Sequence, residues 1–341
     1  MKAVILAAGK GTRMQGLGDL IAKPVLPVGN VPALVWAAYG LRSAGVDEII
    51  LIVGHRADDI RIVLGDGSRI GLWIQYIRQE RPLGTGDALK LARASIGAEP
   101  FITMYGDIVC SHRNFGDLVE LYRTGKAAAW MAVHEDAEAW KGGVVVVRDG
   151  RVVDLVEKPP PGSIASNLIN AGLFVFLPEI FAALDEVELS QRGEVELTSA
   201  VGKLLERGCV VGAAPIRGFW VNLTDPASYL AANRCVLAER VGAGDRLKSD
   251  RAVVHSEATL AEPVAIDEGS CTGRAYLGPF VSVGKACRVD DGAHLSNCVL
   301  LDGSVVEKNA RVENAVLAPG SEVGPSATVA GPTPAVVFAT R

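Results

Sequence analysis

The sequence contains no uninterrupted run of eighteen apolar residues and no excess of basic residues. Because a membrane-spanning helix needs about that length of apolar chain, none is expected. The apolar start of the chain stops at Gly9, which makes it too short for the core of a signal peptide. The net charge of −5 at pH 7 argues against nucleic acid as the main partner, since phosphate neutralisation requires a clustered basic surface.

Cysteine pairs of the Cys-x-x-Cys type are also absent, although the chain has six cysteines. Scattered cysteines indicate buried, reduced thiols rather than a metal site or a disulfide framework, and reduced thiols predict a cytoplasmic protein. The 341 residues are enough for two domains. A composition with 49% hydrophobic and 21% charged residues is that of a globular protein.

Up to about Gly242, short apolar runs alternate with amphipathic segments. This alternation predicts an α/β domain with a mostly parallel sheet, which binds ligands beyond the carboxyl ends of its strands. A hairpin is expected around Asp149-Gly150, between strands over residues 144–147 and 151–156. The other predicted strands cover residues 2–6, 48–53, 72–77 and 100–105, and the predicted helices cover residues 31–43, 86–94 and 226–240.

From Ala252 onward, aliphatic residues recur every six positions, as at Leu277, Val283, Val289 and Leu295. A small or β-branched residue stands four positions after most of them. A period of six with two inward positions predicts a parallel β-helix of hexapeptide repeats, with three hexads to a coil. Since the flat faces of a solenoid must be capped or paired, this domain is expected to form a homo-oligomer. The predicted boundaries are an N-terminal domain over residues 1–242, a linker over 243–251, the β-helix over 252–331 and a tail over 332–341.

A glycine loop, Gly9-Lys10-Gly11-Thr12-Arg13, follows the first predicted strand. Glycines let the backbone approach a phosphate, and successive N–H groups that face one way bind an anion. A dinucleotide-binding loop would have a third glycine where Met14 stands, and an acid at the end of the second strand, which ends in Val53-Gly54. No Gly-Lys-Ser/Thr follows, so the loop is not a P-loop either. On these residues alone, another kind of phosphate loop and a structural turn both stay open.

Further motifs accompany the loop. In chain order they are Gly-Lys-Gly-Thr-Arg-Met at 9–14, Lys-Pro-Val-Leu-Pro-Val at 23–28, Pro-Leu-Gly-Thr-Gly-Asp at 82–87, Tyr-Gly-Asp at 105–107, Glu-Lys-Pro at 157–159, Asn-Ala-Gly-Leu-Phe at 170–174 and Gly-Phe-Trp-Val-Asn at 218–222. This series closely resembles the sugar-1-phosphate nucleotidyltransferases, which include glucose-1-phosphate thymidylyl- and uridylyltransferases and mannose-1-phosphate guanylyltransferases. Several members carry a C-terminal left-handed β-helix, so the resemblance covers nearly the whole chain and implies a Rossmann-like catalytic domain followed by such a helix.

The resemblance implies an enzyme that joins a nucleoside triphosphate to a sugar-1-phosphate and releases pyrophosphate, with Mg²⁺ as cofactor. We expect UTP or dTTP and glucose-1-phosphate or a related hexose phosphate as substrates. A phosphate monoester has a second pKa of about 6, so the attacking oxygen is already anionic near neutral pH. No general base is needed, and the protein must supply positioning and cancellation of charge.

Residue roles follow from the same resemblance. The expected catalytic residues are Arg13 and Lys23, which hold the triphosphate, and Asp107, which binds magnesium at the end of a strand. The expected nucleotide contacts are Leu6, Ala8, Gly9, Gly11, Thr12, Gln79, Gly84 and Thr85. The expected sugar-phosphate contacts are Gly143, Glu157, Lys158 and Asn170. Without the resemblance, the charged residues among these would be interpreted as solvated surface groups or turn residues.

One position departs from the family's pattern. Where relatives have Trp-x-Asp and so a second carboxylate for the metal, this chain has Trp220-Val221-Asn222. An amide offers a neutral carbonyl oxygen, which hard cations bind less strongly than a carboxylate. We therefore expect Asn222 to be at most a weak second metal ligand. Asp225, three residues later, is expected to cap the next helix.

Two other functions stay open on the sequence. A catalytically weak relative that binds a nucleotide-sugar and regulates a partner is favoured by Asn222, but retention of Arg13 and Lys158 argues against it. The other is an acyltransferase activity in the β-helix, where His255 and His294 are the only imidazoles. A lone histidine on a solenoid coil is more typical of a surface or stacking role than of a catalytic base.

Overall fold

A computed structural model describes residues 1–9, 11 and 13–338. The chain divides into two compact units, the first with residues 1–10 and 34–220 and the second with residues 11–33 and 221–341. The strands, numbered β1 to β26 in chain order, are Lys2–Ala7, Pro27–Val28, Val31–Pro32, Glu48–Val53, Trp73–Arg78, Phe101–Tyr105, Ile108–Cys110, Ala129–Glu135, Gly143–Arg148, Arg151–Glu157, Leu168–Phe176, Val211–Pro215, Trp220–Asn222, Val253–Val254, Thr259–Leu260, Val264–Ile266, Cys271–Thr272, Tyr276–Leu277, Val281–Val283, Arg288–Val289, His294–Leu300, Val305–Val306, Arg311–Leu317, Glu322–Val323, Thr328–Val329 and Ala335–Val337. The α-helices, α1 to α9, are Leu17–Leu20, Ala33–Ser43, Ala57–Leu64, Thr85–Lys90, Arg93–Ile96, Arg113–Thr124, Ile180–Asp185, Leu197–Glu206 and Pro226–Gly242.

The first unit is built on a nine-stranded sheet in the order β5-β4-β1-β6-β11-β8-β12-β10-β9. Its first four strands are parallel to one another. β1 and β4 are continuous apolar runs whose side chains are buried from the second residue on, as expected for strands covered on both faces. The predicted α/β fold with parallel strands is confirmed, and antiparallel strands continue the sheet beyond β6.

The predicted hairpin is also present, because β9 and β10 pair antiparallel around Asp149-Gly150. Both turn residues have positive φ, 50° and 72°, the conformation that a two-residue hairpin of this kind requires. The hairpin and β11 surround a core of fully buried aromatic and aliphatic side chains that includes Phe101, Phe174 and Phe176.

Two predicted helices have different bounds in the structure. The helix expected over residues 31–43 begins at Ala33, because Val31–Pro32 pairs with Pro27–Val28 in a short antiparallel ladder instead. The helix expected over residues 86–94 is two short helices, α4 and α5. Among the described residues no helix is both long and apolar enough to cross a membrane.

In the second unit, short strands stack into parallel sheets in the orders β14-β17-β20-β22-β24 and β15-β18-β21-β19-β16, with β23, β25 and β26 continuing the latter. Most strands pair 17 residues apart, as Cys271 does with Arg288 and Arg288 with Val305, whereas Tyr276 and His294 pair 18 apart. The aliphatic residues of the hexad pattern lie inward in these sheets. Leu277 and Leu295 are fully buried, whereas Val254 in β14 and Val329 in β25 are half-buried.

Helix α9 belongs to the second unit and contacts β2, β21 and β23. Asp225 caps it as predicted, because its carboxylate accepts the Ser228 N–H at 2.8 Å while the Ser228 hydroxyl oxygen accepts the Asp225 N–H at 2.9 Å. Such a reciprocal capping box satisfies two backbone donors at the start of a helix.

Candidate active site

In the first unit, the predicted ligand-binding edge lies where β1, β4 and β6 end. The Leu6 carbonyl oxygen accepts the N–H of Gly106 at 2.9 Å. A Cβ at Gly106 would lie 2.8 Å from the Cβ of Ala7, and a Cβ at Gly54 would lie 2.8 Å from the carbonyl oxygen of Ala8. These glycines therefore let three strand ends meet closely, and they bring Leu6, Ala8 and Gly9 to that edge.

Gln79, Gly84 and Thr85 form a second part of this edge. The Gln79 amide is buried, and its Nε2 donates to the Gly84 carbonyl at 3.2 Å and to Asp87 Oδ2 at 2.8 Å. Both amide hydrogens are thereby engaged within the protein, which orients the carbonyl oxygen of Gln79. Thr85 begins α4, and its hydroxyl oxygen accepts the N–H of Leu197 at 3.1 Å.

Gly84 has a conformation that only glycine adopts readily, with φ 101° and ψ 175°. The position is also crowded, because a Cβ there would lie 2.5 Å from the carbonyl oxygen of Val195. The neighbouring chain is tied to this loop by two hydrogen bonds, from Val195 N–H to Leu83 and from Gly86 N–H to Val195. The Pro-Leu-Gly-Thr-Gly-Asp motif is thus held by the segment that precedes α8.

Tyr105, at the end of β6, contacts one predicted nucleotide-binding residue, Thr85, and one predicted sugar-binding residue, Asn170. Its phenol oxygen accepts the Asn170 amide N–H at 3.4 Å and is hydrogen-bonded to Thr85 as well. Burial raises the pKa of Tyr105, and the carboxylates of Glu157 and Asp107 raise it further. The phenol is therefore neutral at physiological pH and can donate a hydrogen bond.

The predicted sugar-phosphate residues lie together on β9, β10 and β11. Gly143 pairs with Glu157 in the hairpin, and a Cβ at Gly143 would lie 3.1 Å from Glu157 Oε2 and 3.6 Å from the Cβ of Asn170. The absence of a side chain at Gly143 therefore leaves space between the two polar groups. Lys158 follows directly with an exposed side chain and φ 46°, and its N–H donates to the Gly142 carbonyl at 2.8 Å.

Glu157 has neighbours that the motifs did not indicate. Arg192 Nη2 lies 3.7 Å from its Oε1 and 2.7 Å from Oε1 of the buried Glu196, and the Thr198 hydroxyl donates to Glu157 at 3.5 Å. Burial raises the pKa of Glu157 and the charge of Glu196 adds to this, whereas Lys158 and Arg192 lower it. Sequence reasoning missed Arg192 and Glu196 because a charged stretch with no strand or helix pattern looks like an ordinary surface loop.

The remaining predicted phosphate ligands belong to the second unit. Gly11 has φ 65°, and a Cβ there would lie 3.2 Å from the Cβ of Lys23, so the loop backbone and the lysine stem are adjacent. Arg13 is exposed, and Lys23 begins a short 3₁₀ helix, residues 23–25. Thr12 lies outside the described residues.

The two predicted metal ligands differ in chemistry. Asp107 is half-buried just after β6 and offers a carboxylate. The Oδ1 atom of Asn222 is buried and has no hydrogen-bond partner among the residues that the structure describes. A buried carbonyl oxygen without a partner is costly, and a cation or a donor group would satisfy it. Within the described residues, no group of three or more His, Cys, Asp or Glu side chains could hold a metal by itself.

The histidines of the second unit have local contacts. The ring of His294 stacks on Tyr276 with centroids 4.5 Å apart and planes 3° from parallel. The Nδ1 atom of His255 accepts the N–H of Glu257 at 3.1 Å. These are the surface and stacking roles that the sequence favoured over a catalytic base.

Comparison with known proteins identifies the family of this chain. The Nucleotidyl transferase family matches residues 2–239, and the GMPPB C-terminal domain matches residues 257–339. A low-salt glycan biosynthesis nucleotidyltransferase of Haloferax volcanii is 33% identical, over 95% of this chain and 94% of the relative. A glucose-1-phosphate thymidylyltransferase of Streptomyces antibioticus is 32% identical, over 93% and 92%. The solved structure of a UDP-glucose pyrophosphorylase complexed with UDP-glucose has a TM-score of 0.63 at 25% identity, over 70% of this chain and 99% of that one.

The chain belongs to the nucleotidyl transferase family. The predicted resemblance to sugar-1-phosphate nucleotidyltransferases is confirmed, and with it the assignment of the protein as an enzyme of this type.

The crowding at Gly84 gives a test of how this edge is held. Gly84→Ala should lower the free energy of unfolding by more than the about 1–3 kcal/mol of a strained backbone, because the new methyl group also meets Val195. Gly97→Ala is the matched control, since Gly97 has φ 67° and ψ −131° but nothing within 4 Å of its Cβ position. Urea unfolding of both variants measures the difference. Equal losses would mean that the Val195 contact does not constrain the loop.

Proposed function

We propose that this enzyme joins UTP or dTTP to glucose-1-phosphate or a related hexose-1-phosphate and releases pyrophosphate. The observation that carries the proposal is the family match over residues 2–239. The glycine motifs at 9–14 and 105–107 follow the ends of β1 and β6, which supports it. The names of relatives support the substrate choice, since they include glucose-1-phosphate thymidylyltransferase and UDP-glucose pyrophosphorylase.

The proposed reaction is attack by a phosphate oxygen of the sugar phosphate on the α-phosphorus of the nucleotide. The nucleophile is already an anion at neutral pH, so the protein needs no general base. Lys158 holds the sugar phosphate. Glu157 accepts a hydrogen bond from a sugar hydroxyl, and Asn170 can donate or accept one. The absence of a side chain at Gly143 leaves room for the sugar. Arg13 and Lys23 bind the phosphates that leave as pyrophosphate, where a guanidinium stabilises the departing charge.

The nucleotide is proposed to contact Leu6, Ala8, Gly9, Gly11 and Thr12. Gln79, Gly84 and Thr85 contact the base. The geometry of Gln79 supports this, because both hydrogens of its amide are used by Asp87 and Gly84 and its carbonyl oxygen is left as an acceptor. Uracil and thymine each carry a ring N–H that such an acceptor can bind.

Asp107 and Asn222 are the proposed protein ligands of Mg²⁺. The donor set fits a hard cation, since it combines a carboxylate with a buried amide oxygen that lacks a partner among the described residues. Magnesium, when bound, neutralises charge on the phosphates. Asp107 then contributes the charged protein ligand, and Asn222 contributes a neutral one.

A pyrophosphate-release assay tests the function directly. The enzyme is incubated with Mg²⁺ and each pairing of UTP, dTTP, GTP, ATP or CTP with glucose-1-phosphate, mannose-1-phosphate or glucosamine-1-phosphate. We expect the highest kcat/KM with UTP or dTTP and glucose-1-phosphate. Preference for GTP and mannose-1-phosphate would overturn the substrate assignment, and no release with any pairing would favour a regulatory, nucleotide-sugar-binding protein.

For the C-terminal part, the proposed architecture is a left-handed β-helix of hexapeptide repeats over residues 252–331. The proposed catalytic domain covers residues 1–242 and is joined to the β-helix by a linker over 243–251. A tail over 332–341 follows the β-helix. Strands that pair 17 residues apart support coils of three repeats, two of six residues and one of five, as at the five-residue steps Leu301–Val306 and Val312–Leu317. The two family matches leave a gap in the linker region. The scattered cysteines support a cytoplasmic location.

We expect the β-helix to hold a homo-oligomer, because its half-buried terminal coils and open strand edges favour association. Light scattering coupled to size exclusion should give a mass at least twice the 35.8 kDa of one chain. A mass of one chain across micromolar concentrations would contradict this prediction.

Arg13→Ala and Lys158→Ala should change different kinetic constants. Loss of Arg13 removes charge stabilisation on the pyrophosphate side and should lower kcat by about 10²–10³-fold, as loss of one transition-state donor does. Loss of Lys158 should mainly raise KM for the sugar phosphate. Arg69→Ala and Lys126→Ala change exposed residues outside the motifs and serve as controls. Steady-state kinetics with both substrates varied decides, and native constants in Arg13→Ala and Lys158→Ala would show that the site is misplaced.

Asn222→Asp should strengthen the binding of Mg²⁺ at the proposed metal site. The change restores the carboxylate of the family pattern at nearly constant side-chain size, so its effect on packing is small. A second charged ligand should lower the Mg²⁺ concentration for half-maximal rate and raise turnover at low metal. If Asn222 instead lies away from the metal, a buried carboxylate without a partner is costly. In that case, a magnesium titration of both proteins would show that Asn222→Asp needs the same or a higher Mg²⁺ concentration for half-maximal rate.

A further inference from the structure

Residues 11–33, which carry Arg13 and Lys23, belong to the same compact unit as the C-terminal residues 221–341. Six residues after Lys23, the chain forms a tight turn between β2 and β3. Gly29 and Asn30 at this turn have φ 55° and 61°, so its backbone is left-handed at two successive residues. Side chains of α9, together with that of Asn30 in the turn itself, hold this turn by hydrogen bonds.

Asn233, on α9, is the central contact. Its side chain is fully buried, and its Oδ1 atom accepts both the Gly29 N–H and the Ser282 hydroxyl at 2.8 Å. Ser282 lies in the middle of β19, one of the strands of the C-terminal parallel sheets, and is itself fully buried. One amide oxygen therefore joins the turn after Lys23 to the C-terminal sheets. Removing it would leave a buried N–H and a buried hydroxyl without an acceptor, which is costly.

Three further hydrogen bonds hold the same turn. The Asn30 amide donates to the Val283 carbonyl at 2.8 Å, which is a second link to β19. The Tyr229 hydroxyl donates to the Pro27 carbonyl at 2.6 Å, and Arg240 Nη1 donates to the Gly29 carbonyl at 2.7 Å.

Packing restrains the segment on both sides of Lys23. After it, a Cβ at Gly29 would lie 3.0 Å from Cγ1 of Val236 on α9. Before it, a Cβ at Gly16 would lie 3.2 Å from Cζ of Phe338, so the C-terminal chain covers the loop that follows Arg13. Lys23 thus lies between two points at which residues after 221 touch the segment.

We propose that Asn233 is a positioning residue for the phosphate-binding lysine, and that the C-terminal sheets act through it as part of the scaffold of the triphosphate site. The proposal rests on the role of Lys23 given under Proposed function. Since the hydrogen bonds that the structure describes for the Asn233 side chain go to Gly29 and Ser282, its effect on catalysis passes through the position of the turn. It should therefore appear in the binding of the triphosphate and of pyrophosphate, and not in the binding of the sugar phosphate.

Asn30→Gly is the mildest test. Glycine accepts φ 61° without strain, so the variant removes the bond to Val283 and leaves the turn geometry allowed. Asn309→Gly is its matched control, because Asn309 is exposed in the same unit at φ 58° and has no hydrogen bond to the 11–33 segment among the described contacts. Asn233→Ala is the stronger variant, and Ser282→Ala removes only the link between Asn233 and β19.

The measurements are KM for each substrate, the Kd for inorganic pyrophosphate by calorimetry, and the unfolding temperature of the full-length protein. For Asn30→Gly we expect KM for the triphosphate and Kd for pyrophosphate to rise about three- to tenfold, as loss of one hydrogen bond predicts. Asn233→Ala should raise both by about tenfold or more. KM for the sugar phosphate should stay within about twofold, a split that general destabilisation would not produce.

Lys23→Ala, measured in parallel, separates the role of Lys23 from that of Asn233. If Lys23→Ala weakens pyrophosphate binding while Asn233→Ala and Asn30→Gly behave like Asn309→Gly, the positioning role of Asn233 is overturned and the role of Lys23 stands. If Lys23→Ala leaves pyrophosphate binding unchanged, both are overturned. If Asn233→Ala does not fold, Asn30→Gly and Ser282→Ala still decide, and equal changes in KM for both substrates would also contradict the proposal.

Discussion

Close approach of main chain to main chain at the ends of β1, β4 and β6 is the constraint on which the first unit depends. The ends of parallel strands can supply a ligand-binding edge only if the loops that leave them do not fill it. Gly54 and Gly106 meet this condition because neither has room for a Cβ beside Ala7 and Ala8. The Gly106 N–H is used by Leu6, so the strand ends are held together by a hydrogen bond as well as by contact.

Charge is distributed unevenly around the proposed sugar-phosphate pocket. Glu157 and Glu196 are both shielded from water, and a single guanidinium, that of Arg192, lies within 4 Å of each. Burial and the charge of Glu196 raise the pKa of Glu157 above its usual value, and the cations beside it offset this only in part. A neutral Tyr105 adds a donor and acceptor without adding charge. A pocket of this kind suits a ligand with many hydroxyl groups and one anionic end.

The C-terminal sheets contribute more than a stack of strands. Most of their strands pair 17 residues apart, which places the same kind of side chain at equivalent positions and explains why the inward aliphatic residues form one continuous core. Ser282 lies between the core residues Val281 and Val283, so its side chain is on the opposite face of β19, and it is fully buried there. Its hydroxyl has a partner in Asn233, and that partner also binds Gly29. The buried hydroxyl is thereby explained by a contact that leads to the segment that carries Lys23.

Much of this protein could be determined from its sequence. The period of six in the C-terminal part and the continuous apolar strands in the N-terminal part depend on local side-chain spacing, and the structure contains both patterns as parallel strands. The Asp149-Gly150 hairpin and the Asp225 cap also follow from local chemistry. The start of α2 did not, because Val31–Pro32 pairs with residues 27–28, and a pairing across a turn competes with the helix that local sequence favours.

Only the tertiary structure decided which distant residues meet. Nothing in the spacing of Arg192 and Glu196 indicates that they contact Glu157, and nothing around Asn233 indicates that its amide binds Gly29, 204 positions away. Such contacts arise because strand order and helix packing bring together residues that are far apart in the chain, and the geometry is not encoded in any single motif. The sequence by itself determined the family, the two kinds of pattern and the candidate residues. The tertiary structure decided how those residues are held, because buried polar groups need partners and the fold selects them.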